Sequence, residues 1–449
     1  MRQLFGTDGI RGIAGTAPLD PTTIYAVGLA LAHSLRPQSI IPRVLLGRDT
    51  RESSPWIAAM LAAGLRAGGA EVASAGIVPT PAVAFLTHTH KFQAGAVISA
   101  SHNPWQDNGI KLFGPDGFKL PDNVELQIEE VIFRHALSTT APDPTTLPPV
   151  EDQPEYAQQY IDFLLAAVPG LKLTSQRILV DCANGAAAPI APTLFAALGG
   201  SVTLLNTTPN GRNINDQCGA LHPKTIAAEV ARQGAQLGIT FDGDADRCLL
   251  SGANNNVING DAILLIAARD LAQRGLLTGN LVVATTMSNM GLEAALRRSG
   301  IQMLRAPVGD RYVLEQMLAH RAALGGEQSG HILLPHLATT GDGLLTALVV
   351  LDLIARTGKS IEELTADLKV FPQIIVNIQV REKKPLLEIP SVAQAIQAAE
   401  TALATSGRVV IRYSGTEALA RVMIEAEEES QMRHHAETIA NAIRAELGV

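Results

Sequence analysis

Short apolar runs rich in β-branched residues recur along the chain and alternate with amphipathic stretches. Runs that are apolar on both faces are typical of buried parallel strands, and the stretches between them have helical spacing. Ser54 followed by Pro55 predicts a capped helix start, and Arg297 and Arg298 before Gly300 predict a helix end. This alternation predicts an α/β protein with open sheets. The runs are Val44–Gly47, Ala94–Ile98, Ile178–Val180, Leu237–Phe241, Leu281–Ala284 and, in a changed pattern near the C-terminus, Ile374–Ile378.

A coarser repeat of architecture lies above this alternation. Each of three successive parts of the chain has a strand that ends in a polar loop, and later a second such strand and loop. Ligands of open α/β sheets bind at the carboxyl ends of the strands, so these loops could converge on one cleft. The pairs are GRDT at 47–50 with SASHNP at 99–104, DCANGA at 181–186 with DGDADR at 242–247, and TTMSN at 285–289 with GGEQSGH at 325–331.

Changes of composition suggest where the domains meet. The stretch Leu137–Pro154 holds prolines 142, 144, 148, 149 and 154 and predicts a linker, and the Asn-rich stretch Ser251–Asn256 predicts a turn between units. After about Leu368 the pattern becomes that of a small α+β domain. We therefore predict three similar α/β/α units with mixed, mainly parallel sheets and a smaller α+β domain around one central cleft. Their predicted bounds are 1–145, 155–253, 254–368 and 369–449.

Composition limits the class of partner. The 449 residues are 47% hydrophobic and 17% charged, which excludes intrinsic disorder as the main state. A net charge of −8 and an aromatic content of 4% argue against nucleic acid or an anionic membrane as the main partner. Cys182, Cys218 and Cys248 have no CxxC spacing, which indicates free thiols. Without a signal-like or membrane-spanning apolar segment, we expect a cytoplasmic protein.

Three aspartates follow the predicted strand Leu237–Phe241 directly. Asp242, Asp244 and Asp246 are spaced i, i+2, i+4, so in extended backbone their carboxylates would share a face. Clustered carboxylates repel one another unless a hard cation lies between them, and oxygen ligands suit Mg²⁺ or Ca²⁺. An EF-hand loop would need glycine and glutamate where this chain has Arg247 and Ala253. A polar turn without a metal is the alternative interpretation.

Hydroxyl, imidazole and ammonium groups follow the strand Ala94–Ile98. Ser99 and Ser101 are the candidate nucleophiles, with His102 adjacent and Lys111 further on. A serine needs activation to act as a nucleophile, and adjacency in sequence alone does not supply it. A loop serine that caps a turn is therefore the alternative, but the carboxylate loop at the equivalent place in the next unit favours chemistry.

Three further loops have groups suited to a sugar phosphate. Arg412-Tyr-Ser-Gly-Thr-Glu417 places a glycine between two hydroxyl residues with arginines on either side, which suits a phosphate. GTDGIRG at 6–12 is glycine-rich and includes Arg11, whereas GGEQSGH offers Glu327, Ser329 and His331 for hydroxyls or an amine. Each of these segments could also be an ordinary turn.

In this order and spacing, SASHNPxxxNGxK, DGDADR, GEQSGH and RxSGTE resemble the α-D-phosphohexomutase superfamily over essentially the whole chain. Gln328 and the opening FGTDGIRG are similar to its glucosamine branch, since methionine is typical at position 328 of the mannose/glucose branch. Tyr413 and Ala418 depart from the prolines usual in the last motif. The resemblance implies a four-domain molecule that interconverts glucosamine 6-phosphate and glucosamine 1-phosphate for UDP-N-acetylglucosamine and cell-wall synthesis.

The resemblance also implies roles for individual residues. Ser101 would bear a phosphoryl group, one oxygen of which would join the three aspartates in holding one Mg²⁺. Glucosamine 1,6-bisphosphate would be the intermediate, and it or a kinase would first phosphorylate Ser101. His331, Lys111 and His102 remain open as the general acid or base, with Arg11 and Arg247 stabilising charge. Glu327 and Ser329 would contact the sugar, and the other phosphate would bind Arg412, Ser414, Gly415, Thr416 and Arg421.

Other interpretations stay open at this stage. A phosphomannomutase/phosphoglucomutase would differ only in what it tolerates at C2 of the sugar. A non-catalytic sugar-phosphate sensor would have kept the cleft but would not need the serine chemistry. A homodimer is the quaternary state that the resemblance favours.

Overall fold

The computed structural model describes residues 4–6, 8–35, 41–134, 139–173, 176–414 and 418–449. Its strands form four sheets that follow one another along the chain, with five, five, four and three strands. Helices accompany the strands in each case, which agrees with the predicted α/β class. We name the four units domains I to IV in chain order.

Domain I contains the order β1-β5-β4-β2-β3. Strands β4, β2 and β3 are parallel, whereas β5 runs antiparallel to both β4 and β1. The sheet is therefore mixed, and the carboxyl ends of β2 and β4 lie on the same edge. Its elements are β1 (Ile10–Ile13), α1 (Pro21–Leu35), β2 (Arg43–Arg48), α2 (Ser54–Ala67), β3 (Glu71–Ile77), α3 (Thr80–Thr89), β4 (Ala94–Ile98), β5 (Asp107–Phe113) and α4 (Asp122–Arg134).

Domain II repeats this plan with the order β10-β9-β8-β6-β7. Strands β8, β6 and β7 are parallel, and β9 and β10 form an antiparallel edge. Strand β10 lies after the predicted boundary at residue 253, so by sheet pairing the second unit extends to Ile258. Its elements are α5 (Glu155–Ala167), β6 (Arg177–Asp181), α6 (Ala191–Leu198), β7 (Ser201–Leu205), α7 (Pro223–Gln233), β8 (Leu237–Phe241), β9 (Cys248–Gly252) and β10 (Val257–Ile258).

Domain III has the order β12-β11-β13-β14, in which only the last pairing is antiparallel. Its elements are α8 (Gly260–Gln273), β11 (Leu281–Thr285), α9 (Met290–Arg298), β12 (Gln302–Ala306), α10 (Asp310–His320), β13 (Leu324–Gly326), β14 (Ile332–Leu333), α11 (Gly343–Thr357) and α12 (Ile361–Thr365).

Domain IV is an antiparallel sheet, in the order β15-β17-β16, with two helices packed on it. Val392, Val422 and Ile439 belong to a hydrophobic core of its own. By contrast, Val97, Phe241 and Leu348, one from each of the first three domains, share one continuous core. Its elements are β15 (Gln373–Gln379), α13 (Pro390–Leu403), β16 (Gly407–Tyr413), β17 (Leu419–Ala426) and α14 (Glu429–Leu447).

The apolar runs of the sequence all lie within strands. Two of them, Ala94–Ile98 and Leu237–Phe241, match β4 and β8 residue for residue. The predicted capping role of Ser54 is wrong, because Ser53 stands at the cap position and makes no side-chain cap bond. The Ser54 hydroxyl instead donates to Asp49 at 2.8 Å, so a tertiary partner has taken the group that would have capped the helix. Among the described residues, every helix is too short or too polar to cross a membrane.

Candidate active site

The carboxyl ends of β4, β8 and β13 meet at a cavity of about 380 Å³. Each strand leads into a loop that the sequence singled out, and each loop contributes to the wall. The N-terminal segment before β1, together with Arg11 and Lys119, closes the cavity from the domain I side. Its walls include His102 from domain I, Asp246 and Arg247 from domain II, and Asp310, Glu327 and His331 from domain III.

Ser101 directly precedes His102 of the cavity wall and is 1% exposed. Its backbone has a left-handed φ of 51°, a conformation that costs energy for a residue with a side chain. The hydroxyl donates to Asp242 Oδ2 at 2.5 Å and lies 3.3 Å from His102 Nδ1. The predicted phosphoserine is thus in direct contact with the predicted metal loop, although the two lie on different domains.

The strained Ser101 loop is held by residues that sequence reasoning missed. The fully buried Arg51 guanidinium donates to the carbonyl oxygens of Ser101 and Asn103, each at 2.9 Å, and to that of Asp107 at 3.0 Å. Asn215 of domain II donates to the Ser101 carbonyl at 2.9 Å. A five-donor planar group suits several carbonyls at once, which explains why arginine rather than lysine fits here. Arg51, directly after the GRDT segment, therefore supports the loop, and its Nε donates to Asp49 of that segment at 2.8 Å, whereas none of these residues lines the cavity.

The three aspartates of the DGDADR loop converge as predicted, but through a turn in which Ala245 has a left-handed φ of 55°, not through the extended backbone expected from the sequence. Asp242, Asp244 and Asp246 are buried, and their ligand atoms lie within 4.8 Å of one another. Burial and the charges of Asp246 and Asp244 raise the pKa of Asp242 well above its usual value. The neighbouring cations therefore do not offset the burial and repulsion that act on Asp242.

The aspartate cluster fits a hard divalent cation. Asp244 Oδ1 and Asp246 Oδ1 are buried and have no hydrogen-bond partner among the described residues. An orphaned buried carboxylate oxygen is costly, and Mg²⁺ prefers such oxygen ligands. The residues present thus match the magnesium site that the sequence predicts.

Lys111 supplies a fixed positive charge behind the aspartate cluster. Its ammonium lies 2.8 Å from Asp244 Oδ2, 3.4 Å from Asp246 Oδ2 and 3.2 Å from Asp8 Oδ2. Burial lowers the pKa of Lys111, but these carboxylates outweigh it and raise the pKa well above the usual value. Lys111 is 1% exposed and does not line the cavity, so it holds a proton rather than exchanging one at the wall.

A second charged network, which the sequence reasoning missed, closes the other side of the cavity. Lys119 pairs with Asp8 and, at 2.6 Å, with Asp310 of domain III. Although burial raises it, the charges of Lys111, Lys119 and Arg11 hold the pKa of Asp8 well below its usual range. The only sequence signal for this network was the FGTDGIRG segment, in which Asp8 lies three positions before Arg11.

The two histidines differ in their electrostatic surroundings. His331 lies 3.6 Å from Asp246 Oδ1 and 3.4 Å from Asp310 Oδ2. Burial lowers its pKa, but the two carboxylates outweigh burial and raise the pKa to about 9. For His102, burial and the charges of Arg247 and Arg11 lower the pKa to about 4. Both imidazoles line the cavity, as do Arg11 and Arg247.

The loop after β13, for which the sequence predicts sugar recognition, presents one carboxylate to the cavity. Glu327 Oε1 accepts from the Gly309 amide at 3.0 Å, and Oε2 accepts from the Ser329 hydroxyl at 3.0 Å. Both donors are neutral, and no cation lies within salt-bridge distance of Glu327 in the described part of the chain. Gln328 points away from the cavity, because its amide donates to Asp261 at 2.9 Å.

The phosphate loop of domain IV does not line this cavity in the described residues. Arg412 and Arg421 lie opposite each other on β16 and β17, and the buried Ser414 receives a bond from Lys383 on its carbonyl at 2.6 Å. Gly415 and Thr416 of the predicted loop lie outside the described residues. Whether this loop holds a phosphate therefore stays a prediction.

Tyr413 and Ala418, which replace the expected prolines, are tied to a neighbouring segment. The Tyr413 hydroxyl donates to the Lys384 carbonyl at 2.6 Å, and the Val380 amide donates to the Ala418 carbonyl at 2.9 Å. These hydrogen bonds to residues 380–384 restrain the loop in part, as the rings of the two expected prolines would.

All three cysteines are buried free thiols, as the sequence indicated. Burial raises the pKa of Cys218 to about 12 and that of Cys182 and Cys248 further. Thiolates are the reactive form, so these cysteines are packing residues.

The aspartate loop at 242–247 packs against the start of α11. The helix cap there, Asp342, allows a test of stability. The Gly343 amide donates to the Ala245 carbonyl at 2.9 Å, and a Cβ at Gly343 would lie only 2.4 Å from the Arg247 carbonyl oxygen. The cap residue, Asp342, accepts from the Leu345 amide and the Tyr160 hydroxyl. Burial raises its pKa to about 6, with Asp246 adding to the effect.

We expect Asp342→Asn to stabilise the protein at pH 8. A carboxyl whose folded pKa exceeds its unfolded value favours folding below about pH 4, and this contribution is lost as pH rises to 6. Asparagine cannot ionise and still caps a helix. The melting temperature should rise by about 2–4 °C at pH 8 and hardly at all at pH 4. The exposed control Asp216→Asn should change neither; equal melting of Asp342→Asn and wild type at pH 8 would contradict the assignment.

Three α/β domains around an acidic cavity beside a buried serine, followed by a smaller fourth domain, define an enzyme of the phosphohexose mutase class. Models for phosphoglucomutase/phosphomannomutase match this chain in order: alpha/beta/alpha domain I at residues 2–138, domain II at 158–255, domain III at 259–371 and the C-terminal domain at 375–442. The chain belongs to the phosphoglucomutase/phosphomannomutase family. The resemblance noted from the motifs is thereby confirmed.

Full-length relatives narrow the comparison. A protein of Koribacter versatilis named phosphoglucosamine mutase is 55% identical over 100% of this chain and 98% of its own length. One of Solibacter usitatus with the same name is 49% identical over 100% and 99%. A solved phosphoglucomutase/phosphomannomutase family protein of Burkholderia thailandensis has the same fold, with a TM-score of 0.79, 24% identity and 100% coverage of both chains. The glucosamine branch predicted from Gln328 and FGTDGIRG agrees with the names of the Koribacter and Solibacter proteins.

A structure of Aspergillus fumigatus N-acetylphosphoglucosamine mutase, in complex with GlcNAc-6P and magnesium, also has this fold. Its TM-score is 0.65 at 20% identity, covering 99% of this chain and 96% of that one.

Proposed function

We propose that this chain interconverts glucosamine 6-phosphate and glucosamine 1-phosphate through a phosphorylated Ser101 and a 1,6-bisphosphate. The contact of the Ser101 hydroxyl with Asp242, inside a buried carboxylate cluster and beside a cavity of sugar size, carries the proposal. The names of the full-length relatives support the amino sugar as substrate. Its product would be a precursor for UDP-N-acetylglucosamine and the cell wall.

The transfer step balances on the groups present. The bond from phosphorus to Ser101 Oγ breaks as the bond from phosphorus to the sugar O1 forms. The sugar hydroxyl gives up its proton at the cavity wall, and Ser101 Oγ recovers one. After the bisphosphate turns around, the reverse step breaks the bond from phosphorus to the sugar O6 and forms the bond from phosphorus to Ser101 Oγ. Phosphoryl transfer depends on alignment and charge neutralisation, which a rigid serine loop and surrounding cations provide.

The charges around Ser101 suit this reaction. Asp242, Asp244 and Asp246 would hold Mg²⁺, which when bound supplies neutralisation of phosphoryl charge. The fixed ammonium of Lys111 offsets the carboxylates from behind, and Arg11 and Arg247 face the cavity. Of the three acid/base candidates, His102 and His331 line the cavity and Lys111 does not, which favours the histidines.

The amino group of the substrate would be read by Glu327. An ammonium needs an acceptor whose negative charge is not already paired, and the Glu327 oxygens are held only by an amide and a hydroxyl. Ser329 then contributes by orienting Glu327 as well as by facing the sugar.

The proposal also covers the second phosphate, the first phosphorylation of Ser101, the cell compartment and the oligomeric state. The phosphate not being transferred would bind Arg412, Ser414, Gly415, Thr416 and Arg421 after domain IV closes on the cavity. A kinase or glucosamine 1,6-bisphosphate would load Ser101 initially. The protein would act in the cytoplasm, as a homodimer.

Phosphorus-31 NMR tests the proposed substrate. The phosphorylated protein, with Mg²⁺ and a trace of the sugar 1,6-bisphosphate, is offered glucosamine 6-phosphate, glucose 6-phosphate and mannose 6-phosphate in parallel. We expect a 1-phosphate signal that grows fastest by far from the amino sugar. Equal or faster conversion of the neutral hexoses would favour a phosphomannomutase/phosphoglucomutase, and no conversion of any of them would favour a sensor.

A further inference from the structure

The residue that marks the sugar loop, Gln328, does not face the cavity. Its side-chain amide donates to Asp261 Oδ2 at 2.9 Å, and Asp261 is 2% exposed in the first turn of α8. The same carboxylate oxygen accepts from the backbone amide of Asn289 at 2.9 Å. One buried carboxylate therefore joins the sugar-recognition loop to the loop that follows β11.

The segment 285–291, from the end of β11 through the following loop to the start of α9, contacts domain IV. Arg408 of β16 donates to the carbonyl oxygens of Thr286 at 2.7 Å and Ser288 at 3.2 Å. Glu425 of β17, paired with Arg408 at 2.6 Å, accepts from the Met290 amide at 2.9 Å. This loop, singled out in the sequence as TTMSN, thus receives a domain IV carboxylate and guanidinium within one turn.

The chain segment between the two domains binds the same loop. Asn289 exchanges two bonds with Phe371: its side-chain oxygen accepts from the Phe371 amide at 2.9 Å, and its side-chain nitrogen donates to the Phe371 carbonyl at 3.0 Å. Any rotation of domain IV about this connection must act on Asn289. The backbone amide of Asn289 is in turn the group held by Asp261.

The start of α8, which holds Asp261, also packs closely against the loop that holds Glu327 and Gln328. The Gly260 amide donates to the Gln328 carbonyl at 3.0 Å, and a Cβ on Gly260 would lie 1.9 Å from the Glu327 carbonyl oxygen. The start of α8 and the sugar loop are therefore in direct backbone contact, with no room for a side chain. A shift of Asp261 would be passed to Glu327, the carboxylate that faces the cavity.

We propose that Gln328 and Asp261 are positioning residues that couple the placement of domain IV to the placement of the sugar-reading Glu327. The inference rests on the proposed function, because it assigns domain IV the distal phosphate and Glu327 the sugar. Gln328 thereby acts on the sugar through the loop, not by touching it. Coupling through hydrogen-bonded elements is reciprocal, so either loop should respond to a change at the other.

Hydrogen exchange of backbone amides tests this coupling without requiring turnover. Arg408→Lys keeps the charge beside Glu425 but cannot bond two carbonyls as the guanidinium fork does. We expect it to accelerate exchange in residues 326–331 at least about threefold, and Gln328→Met to do the same in residues 285–291. In the double variant, Arg408→Lys should no longer affect 326–331. Exchange that changes only on the side of the substitution would overturn the proposal.

Two further variants separate coupling from general damage. Asp261→Asn can accept from Asn289 and donate to a rotated Gln328, so it should behave like wild type, whereas Asp261→Leu should uncouple both loops. Equal behaviour of the two variants would contradict a hydrogen-bonded link. Gln302→Met, the same change at an exposed position of β12, should alter neither segment.

Kinetics then connect the coupling to the reaction. With glucosamine 6-phosphate, Gln328→Met should lower kcat/KM on the order of tenfold. The loss of kcat/KM in the double variant with Arg408→Lys should be smaller than the product of the two single-variant losses. Fully multiplicative losses would overturn the proposal. A wild-type enzyme inactive on this sugar would refute the proposed function instead, and the exchange result would still decide the coupling.

Discussion

Replacing Ser101 with alanine is expected to lower kcat on the order of 10⁴-fold or more, because it removes the atom that carries the phosphoryl group. The buried Ser101 hydroxyl donates to Asp242 next to His102 of the cavity wall, and Arg51 and Asn215 hold the Ser101 backbone. Another hydroxyl could not take over without rebuilding this loop. Initial rates with glucosamine 6-phosphate, Mg²⁺ and bisphosphate give the measurement, and intact mass gives the phosphorylation state.

Ser99→Ala is the matched comparison for Ser101→Ala. The Ser99 hydroxyl donates to Asp49 at 2.6 Å and accepts from the Ser101 amide, so its loss should loosen the loop but leave the nucleophile. We expect an intermediate loss of kcat with phosphorylation preserved. A Ser101→Ala enzyme that keeps more than about a tenth of wild-type kcat, or that still takes up a phosphoryl group, would remove Ser101 from the mechanism.

Replacing Asp242 with asparagine should have opposite effects on the metal-free and the metal-loaded protein. Without Mg²⁺, burial and the charges of Asp246 and Asp244 raise the pKa of Asp242, so the neutral amide relieves repulsion and should raise the melting temperature. In wild type, bound Mg²⁺ should increase the free energy of unfolding by mass action, by about 2.7 kcal/mol at a hundredfold excess over Kd, and so raise the melting temperature. Asp242→Asn should lose most of this rise.

Activity of the Asp242→Asn enzyme should fall by about 10²-fold or more, and chelation of divalent ions should abolish activity in wild type. Melting curves with and without Mg²⁺, recorded together with initial rates, give both readouts. The exposed control Asp162→Asn should show the wild-type response to Mg²⁺. An undiminished Mg²⁺ response in Asp242→Asn would mean that the ion binds elsewhere.

Much of the fold could be predicted because its signals are local. Ala94–Ile98 and Leu237–Phe241 are apolar on both faces, and burial between helix layers is what such runs require. Parallel strands place their carboxyl ends on one edge, so the loops at 99–104 and 242–247 were expected to lie near a common cleft. The sequence also predicted that Asp242, Asp244 and Asp246 converge, which they do, although a turn and not an extended strand brings them together. The contact of Ser101 with Asp242 agrees with the expected common cleft.

The prediction failed where a side chain found its partner far away in sequence. Ser54 has the local signature of a helix cap, yet its hydroxyl donates to Asp49 because the tertiary fold brings a buried carboxylate beside it. The general acid/base candidates looked equivalent in sequence, but packing placed Lys111 behind the aspartates and the two histidines on the wall. Burial and neighbouring charge then moved the histidine pKa values in opposite directions.

By itself, the sequence determined the strand and helix order, the four-part organisation and the loops that hold Ser101 and the three aspartates, since spacing along one segment decides which groups share a face. Only the tertiary structure decided that Asp8, Lys119 and Asp310 form one charged network, or that Arg51 holds the serine loop. It also turned Gln328 away from the cavity and toward Asp261. These contacts join residues tens to hundreds of positions apart, and the pairing of a buried charge depends on what the whole fold brings within a few ångströms of it.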